Sequence, residues 1–161
     1  MLRSSAAVFV IRSAAVLAAA VAIYYLCVLP YRGNLLLREV EQRSRLAESA
    51  PPLRAIDLAH TNLRDLVRAR GRRLDPGWYL LYGSNCEILG RWQEAADTYT
   101  DALRIDDRPE IYVNRGMVML QLAKPEAAIS DLATAARFDP GVIEQLEGEL
   151  RVRVTAAAGA H

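Results

Sequence analysis

Residues 110–140 read EIYVNRGMVMLQLAKPEAAISDLATAARFDP, and residues 77–107 read GWYLLYGSNCEILGRWQEAADTYTDALRIDD. Laid with Gly83 on Gly116, an offset of 33 residues, Tyr79 meets Tyr112, Cys86 meets Met119, Ala95 meets Ala128, Tyr99 meets Leu132 and Ala102 meets Ala135. Small residues fall on small ones and large apolar residues on large ones. Self-similarity of this length marks stacked supersecondary units, none of which can bury its apolar face alone. Apolar residues at helical spacing over 77–89, 92–105, 109–122 and 125–138 predict four helices. Pro109 and Pro125 fall in first turns, where the missing N–H costs nothing.

These positions resemble the tetratricopeptide repeat (TPR), a helix–turn–helix unit of about 34 residues. Gly83 and Gly116 stand at the small position where the two helices of a unit approach closely, and Gly90 stands in the turn between them. Ala95, Tyr99 and Ala102 in the first unit, and Ala128, Leu132 and Ala135 in the second, supply the small–large–small series, with Pro140 closing the second unit. The first unit departs by one deleted residue near Asp107 and by Asp in place of the closing Pro. The two units cover residues 76–140. The resemblance implies an all-α fold whose first helices line a concave groove for a peptide or helix. Carried onto this chain, the groove comprises Leu80, Ser84 and Glu87 from one unit and Val113, Asn114, Met117 and Gln121 from the next. Asn114 matches a position that contributes to a carboxylate clamp in some chaperone-binding relatives. The lysines of that clamp are missing here, so acidic chaperone tails are not the expected ligand. A mildly polar, largely apolar groove suits an amphipathic helix or an extended segment.

The flanks extend the helical reading. Asn34–Glu48 and Pro52–Arg70 are predicted helices within a region of linker and amphipathic sequence, residues 32–75. Ala55, Ala59, Leu63 and Leu66 fit a degenerate repeat, but Glu39 and Arg43 occupy the places of Tyr79 and Gly83. Plain amphipathic helices packed on the first clear unit remain the other reading. Residues 141–161 predict a capping helix over Gly141–Val154, with Val142, Leu146 and Leu150 inward, and a frayed tail.

The N-terminal residues predict a membrane anchor over residues 1–31. Residues 6–29, AAVFVIRSAAVLAAAVAIYYLCVL, carry one charge, Arg12. Such a run is long enough to cross the hydrocarbon, with Arg12 snorkelling and Tyr24, Tyr25 and Tyr31 near the other interface. Pro30 and Gly33 are expected to end the helix. Ala20-Val21-Ala22 resembles a cleavage site, but the apolar run continues past it, which favours an uncleaved anchor. A lipid anchor at Cys27 is disfavoured by the bulky Tyr24, Tyr25 and Leu26 before it. Arg32, Arg38, Arg43 and Arg45 favour a cytoplasmic C-terminal domain, whereas the short basic tail before the apolar run resembles a signal anchor. The expectation adopted is a single pass in a bacterial inner (cytoplasmic) membrane with the repeats in the periplasm.

Charge and chemistry narrow the function classes. The chain of 161 residues has a formal net charge of +1 and is 52% hydrophobic. Residues 30–75 hold ten arginines against six acids, and residues 76–161 hold eight basic residues against thirteen acids. Arg64, Arg68, Arg70, Arg72 and Arg73 form the densest basic cluster, which suits an acidic partner or anionic lipid, or is a solvated run ending a helix. No aromatic interleaving points to nucleic acid. No glycine-rich phosphate loop, GxSxG, HExxH or paired CxxC is present. His60 reads as a solvated helix residue, Cys86 as a small core residue, and Trp78 and Trp92 as packing residues. No disulfide between Cys27 and Cys86 is expected, nor any cofactor, metal or small-molecule substrate. These features imply a non-enzymatic scaffold whose partners are other membrane or membrane-associated proteins and the lipid bilayer. Its role is that of an accessory or assembly subunit of an inner-membrane complex, or of a free-standing adaptor that recruits clients transiently.

Overall fold

The computed structural model describes residues 16–24, 29–68 and 75–159. All regular structure among them is helical: a stretch at 16–23, then α1 (Leu29–Glu48), α2 (Pro52–Arg68), α3 (Pro76–Ile88), α4 (Trp92–Ala102), α5 (Pro109–Gln121), α6 (Pro125–Phe138), α7 (Gly141–Glu144) and α8 (Gly148–Ala158). The chain divides into two compact units, residues 1–38 and 39–161.

In the first unit the anchor prediction is corrected. Of residues 6–29, positions 6–15 and 25–28, Arg12, Tyr25 and Cys27 among them, lie outside the described residues. Among the described residues no helix is long and apolar enough to cross a membrane. Pro30 and Gly33 do not end a helix either. Both lie within the helical residues of α1. α1 then carries Arg38, Glu39, Glu41, Arg43, Arg45 and Glu48, too many charges for a segment in hydrocarbon. The single-pass inner-membrane placement inferred from the anchor is withdrawn with it.

The second unit is a succession of helices packed in sequence order: α2 packs on α3, α3 on α4, α4 on α5, α5 on α6, and α6 on α8. Local chemistry starts and stops these helices. Asp75 caps α3 by accepting the Gly77 N–H at 2.9 Å, with Pro76 in the first turn. Pro109 and Pro125 likewise stand in the first turns of α5 and α6, which carry no side-chain cap.

The turns within the two clear units are built alike. The Arg91 N–H reaches the Cys86 carbonyl and the Gly90 N–H the Glu87 carbonyl, both at 2.9 Å. One repeat on, Lys124 N–H reaches Met119 and Ala123 N–H reaches Leu120. This double bond pattern requires a left-handed residue after the helix. Gly90 meets it at φ 68°, but Ala123 adopts φ 55° with a Cβ in place. Ala123→Gly is therefore expected to stabilise the protein by about 1 kcal/mol, because the strain of left-handed alanine exceeds the entropy that glycine adds to the unfolded chain. Urea denaturation of the two proteins measures it; a loss of stability refutes the strain.

The burial pattern of the clear units recurs upstream. In α3, α5 and α1 the buried or half-buried series are Tyr79/Gly83/Cys86, Tyr112/Gly116/Met119 and Val40/Ser44/Ala47. In α4, α6 and α2 the fully or nearly fully buried series are Ala95/Tyr99/Ala102, Ala128/Leu132/Ala135 and Ala59/Leu63/Leu66. The upstream pair thus carries the same spacing, one residue along from the register suggested by Glu39 and Arg43. A buried polar knot joins it to the next unit. The Asn62 amide donates to Ser44 Oγ at 3.1 Å and to Asn85 Oδ1 at 2.9 Å, while the Asn85 amide donates to Ser44 Oγ at 3.0 Å. Arg43 also pairs with Asp65 at 2.6 Å.

At the other end the cap differs from a single helix over 141–154. α7 is one turn, the helix is interrupted at residues 145–147, and Gly148 takes φ 56° as α8 begins and runs on to Ala158. Residues 155–158, expected to fray, are helical. The break lets Val142, Leu146 and Val154 bury together against Ile129, Leu132, Ala133 and Ala136, with Leu150 alongside. A straight helix would aim fewer of them at α6.

Candidate functional site

The repeat positions are set by close approach between paired helices. A Cβ on Gly83 would lie 2.4 Å from Cε1 of Tyr99, and one on Gly116 would lie 3.0 Å from Cγ of Leu132. Ala95, Tyr99, Ala102, Ala128, Leu132 and Ala135 are fully buried. Pro140 is exposed and precedes α7.

The groove residues divide into two sets. α3 and α5, the first helices of the two clear units, touch one another. Met117 and Gln121 on α5 are exposed, and Leu80 and Ser84 on α3 are half-buried, Ser84 Oγ donating to its own helix at the Leu81 carbonyl. Glu87, Asn114 and Val113 are engaged inside the array instead. The Tyr99 hydroxyl donates to Glu87, which ties α4 to α3, and Asn114 of α5 favours the ionised form of the same phenol. Burial pushes the Glu87 carboxyl above its usual range, although the Tyr99 bond pulls the other way. Burial, with the charge of Glu87 behind it, likewise raises the Tyr99 phenol. Val113 packs against the α6–α8 cluster. Of the groove residues, Met117 and Gln121 are the exposed ones.

In the arginine cluster, Arg64 is exposed and donates to Thr61 Oγ1 at 3.2 Å, and Arg68 is exposed beside Asp65 at 3.6 Å. Arg70, Arg72 and Arg73 lie outside the described residues. Cys86 is a free, buried thiol pushed up to about 12, chiefly by burial, and so is a packing group without nucleophilic character. His60 is exposed on α2. Among the described residues no group of three or more His, Cys, Asp or Glu is placed to hold a metal ion.

A second concavity was not legible in the sequence. A cavity of about 520 Å³ is bounded by Val67 of α2, by Trp78, Tyr79 and Tyr82 of α3, and by Gln93, Glu94, Asp97, Thr98 and Asp101 of α4. The Trp78 and Tyr82 rings stack with centroids 4.9 Å apart, and Tyr79 meets Trp78 edge-on at 5.2 Å. The indole N–H donates to the Leu66 carbonyl at 2.9 Å, and the Tyr82 hydroxyl donates to Glu94 Oε1 at 2.8 Å. Burial, then the bond to Glu94, pushes the Tyr82 phenol up to about 12, so this donor keeps its proton at neutral pH. Gln93, Glu94, Asp97 and Asp101 share one helical face at three- and four-residue spacing. That signal was present in the sequence, but its aromatic counterpart lies on a different helix.

Comparison with known proteins agrees with this architecture. No family model matches the chain. It is 38% identical over 70 residues to the DnaJ homolog subfamily C member 7 homolog of Schizosaccharomyces pombe. That alignment covers 40% of this chain and 15% of the relative, so the chain spans only a small part of that protein's length. Among solved structures, a thermophilic TPR protein of Thermus thermophilus superposes with a TM-score of 0.63 at 22% identity, covering 84% of this chain and 68% of that one. A type III secretion (T3SS) complex from Aeromonas hydrophila gives 0.51 at 18% identity, covering 74% and 76%. PcrH in complex with the chaperone binding region of PopB gives 0.50 at 18% identity, covering 74% and 94%. The 84% coverage exceeds what the two clear units can fill, so the likeness takes in flanking helices as well. Among its described residues, the chain is an all-helical array of TPR-like units.

Proposed function

We propose that this chain is a non-enzymatic protein-binding scaffold, and that the face formed by α3 and α5 holds a helical or extended segment of a partner protein. The observation that carries this reading is the free half of the groove. Leu80, Ser84, Met117 and Gln121 offer an apolar and mildly polar strip, and Glu87 on the same helix as Leu80 and Ser84 is held by the Tyr99 hydroxyl. Preorganisation of this kind lowers the ordering cost of binding. PcrH, whose structure holds the chaperone binding region of PopB, supports the choice of a peptide-like ligand by analogy. The scaffold acts as an accessory or assembly subunit of a multiprotein complex. A chaperone-like adaptor that binds clients transiently is the second reading, favoured by the same analogy.

Affinity purification of the tagged chain, compared with Met117→Glu/Gln121→Lys, tests the groove. Both positions are exposed, so the variant is expected to fold. Partners held by the groove should fall by about tenfold or more in the variant, since central contacts dominate interface energy. A stoichiometric partner set supports the subunit, and substoichiometric clients support the adaptor. An unchanged partner set in the variant refutes the groove.

A further inference from the structure

The cavity over α3 has a chemistry unlike that of the groove. One wall is aromatic: the half-buried Tyr82 ring, with the buried Trp78 stacked on it and the buried Tyr79 edge-on to Trp78. The other is anionic, made by Glu94, Asp97 and Asp101 of α4. No basic residue is among the described residues that line it. A π face opposite a row of carboxylates is attractive to a cation, because the ring quadrupole and the carboxylates both favour positive charge. The carboxylates have surface neighbours. Arg91 approaches Glu94 at 3.4 Å, Arg104 approaches Asp101 at 2.7 Å, and Gln93 donates to Asp97 Oδ1 at 3.0 Å. Arg91 and Arg104 are well exposed, and exposed pairs of this kind contribute little and exchange readily. Asp97 has no cationic partner in this set.

We infer that this cavity takes an arginine side chain presented by a partner protein, its guanidinium lying along the Trp78–Tyr82 wall and its N–H groups on Asp97 and Asp101. Arginine is preferred over lysine because its planar fork stacks on rings and pairs with carboxylates in two-point fashion, whereas an ammonium is a compact, strongly hydrated charge. The cavity volume of about 520 Å³ falls in the range of sites that enclose a ligand group of this size. Rigidity of the walls supports the assignment. Trp78 is held by Leu66, and Tyr82 is held by Glu94, so neither ring must be ordered on binding. The inference rests on the scaffold reading and adds a second, charge-selective contact on helices α3 and α4, lined by none of the four residues of the α3–α5 strip.

The test uses the full chain and fluorescein-labelled peptides of glycine and serine carrying two spaced arginines, with matched peptides carrying citrulline or lysine. Anisotropy at physiological salt should show saturable binding of the arginine peptide, with the citrulline peptide weaker by about tenfold or more and the lysine peptide between them. Asp97→Asn/Asp101→Asn, two exposed positions, should abolish that difference while leaving the helical circular dichroism and melting temperature unchanged. Tyr82→Leu should weaken the arginine peptide as well. Equal binding of arginine and citrulline peptides overturns the inference, as does binding that survives the Asp97/Asp101 variant. Loss of arginine binding on Met117→Glu/Gln121→Lys alone would place the peptide in the groove, which overturns the cavity assignment while supporting the scaffold. No saturable binding to any peptide overturns the cavity assignment without touching the groove, which partner capture tests separately.

Discussion

Gly83→Leu is expected to unfold the second unit of the protein. The ideal Cβ at position 83 already lies 2.4 Å from Cε1, 2.5 Å from Cζ and 2.9 Å from Oη of Tyr99. The obstacle is the body of a fully buried ring whose hydroxyl is tied to Glu87, so it cannot swing aside. Even Gly83→Ala, which gains up to about 1 kcal/mol in helix propensity, is expected to lose about 1–2 kcal/mol net, because overpacking a close contact costs about 1–3 kcal/mol. Leucine adds three further carbons to the same space and moves the cost beyond that range. The equivalent Gly116→Ala is milder, since its nearest neighbours are the Leu132 side chain at 3.0 Å and the Ala128 carbonyl at 3.2 Å. Urea denaturation followed by circular dichroism orders the variants. The sharper check is a cycle with Tyr99→Leu. If the ring is the obstacle, Gly83→Ala should cost at least about 1 kcal/mol less in the Tyr99→Leu background than in the parent. Additive costs would show that the contact is not what keeps position 83 small.

Asp131→Ala should be the next most damaging change, at about 2–3 kcal/mol, because a charged pair spanning helices loses one member. Arg115 Nε donates to Asp131 Oδ2 at 2.8 Å and Nη2 to Oδ1 at 2.7 Å, a two-point pair. Nη1 donates to Thr100 Oγ1 at 3.2 Å, and the guanidinium lies 5.9 Å from the Tyr112 ring centroid. One side chain of α5 therefore binds α6 within its own unit and α4 of the unit before. Removing one partner of a buried pair strands the other charge, at about 3–5 kcal/mol in a dry core. The Arg115 side chain is 20% exposed here, so solvent relieves part of that penalty. The double variant Arg115→Met/Asp131→Leu removes both charges while keeping bulk, and is expected to lose less than either single truncation. If the single Asp131→Ala variant matches the parent in urea, the pair is a surface contact without structural weight.

Helix positions and the close approach within each clear unit were legible because they are local or strictly periodic. Small residues at Gly83, Ala95, Gly116 and Ala128 recur at one spacing, and prolines mark the first turns. The helix pair upstream escapes that period. Its series are offset by 39 residues from Ser44 to Gly83 and by 36 from Ala59 to Ala95, against 33 between the clear units. From Ser44 to Ala59 and from Ala59 to Gly83 the chain runs three residues longer than between the matching positions of the clear units, so no single offset aligns both helices of the pair. Its register is marked by the buried Ser44–Asn62–Asn85 knot, whose three members lie on three helices.

The N-terminal apolar run shows the opposite failure. Hydropathy alone reads a membrane anchor there, while the described helix that includes Leu29 continues into a heavily charged amphipathic segment. The groove residues were nameable one by one, but the hydrogen bond from Tyr99 that holds Glu87 was not, because such a contact depends on how neighbouring helices pack.

By itself, then, the sequence determined that the core is helical, that its clear pairs repeat, and which small residues let paired helices touch, because each of these follows from spacing within one or two turns and from the volume of single side chains. Only the tertiary structure decided the register of the upstream pair, the break in the cap, the free half of the groove, and the aromatic–acidic cavity. All four depend on groups brought together from separate helices, and the distances between helices are set by packing rather than by any period along the chain.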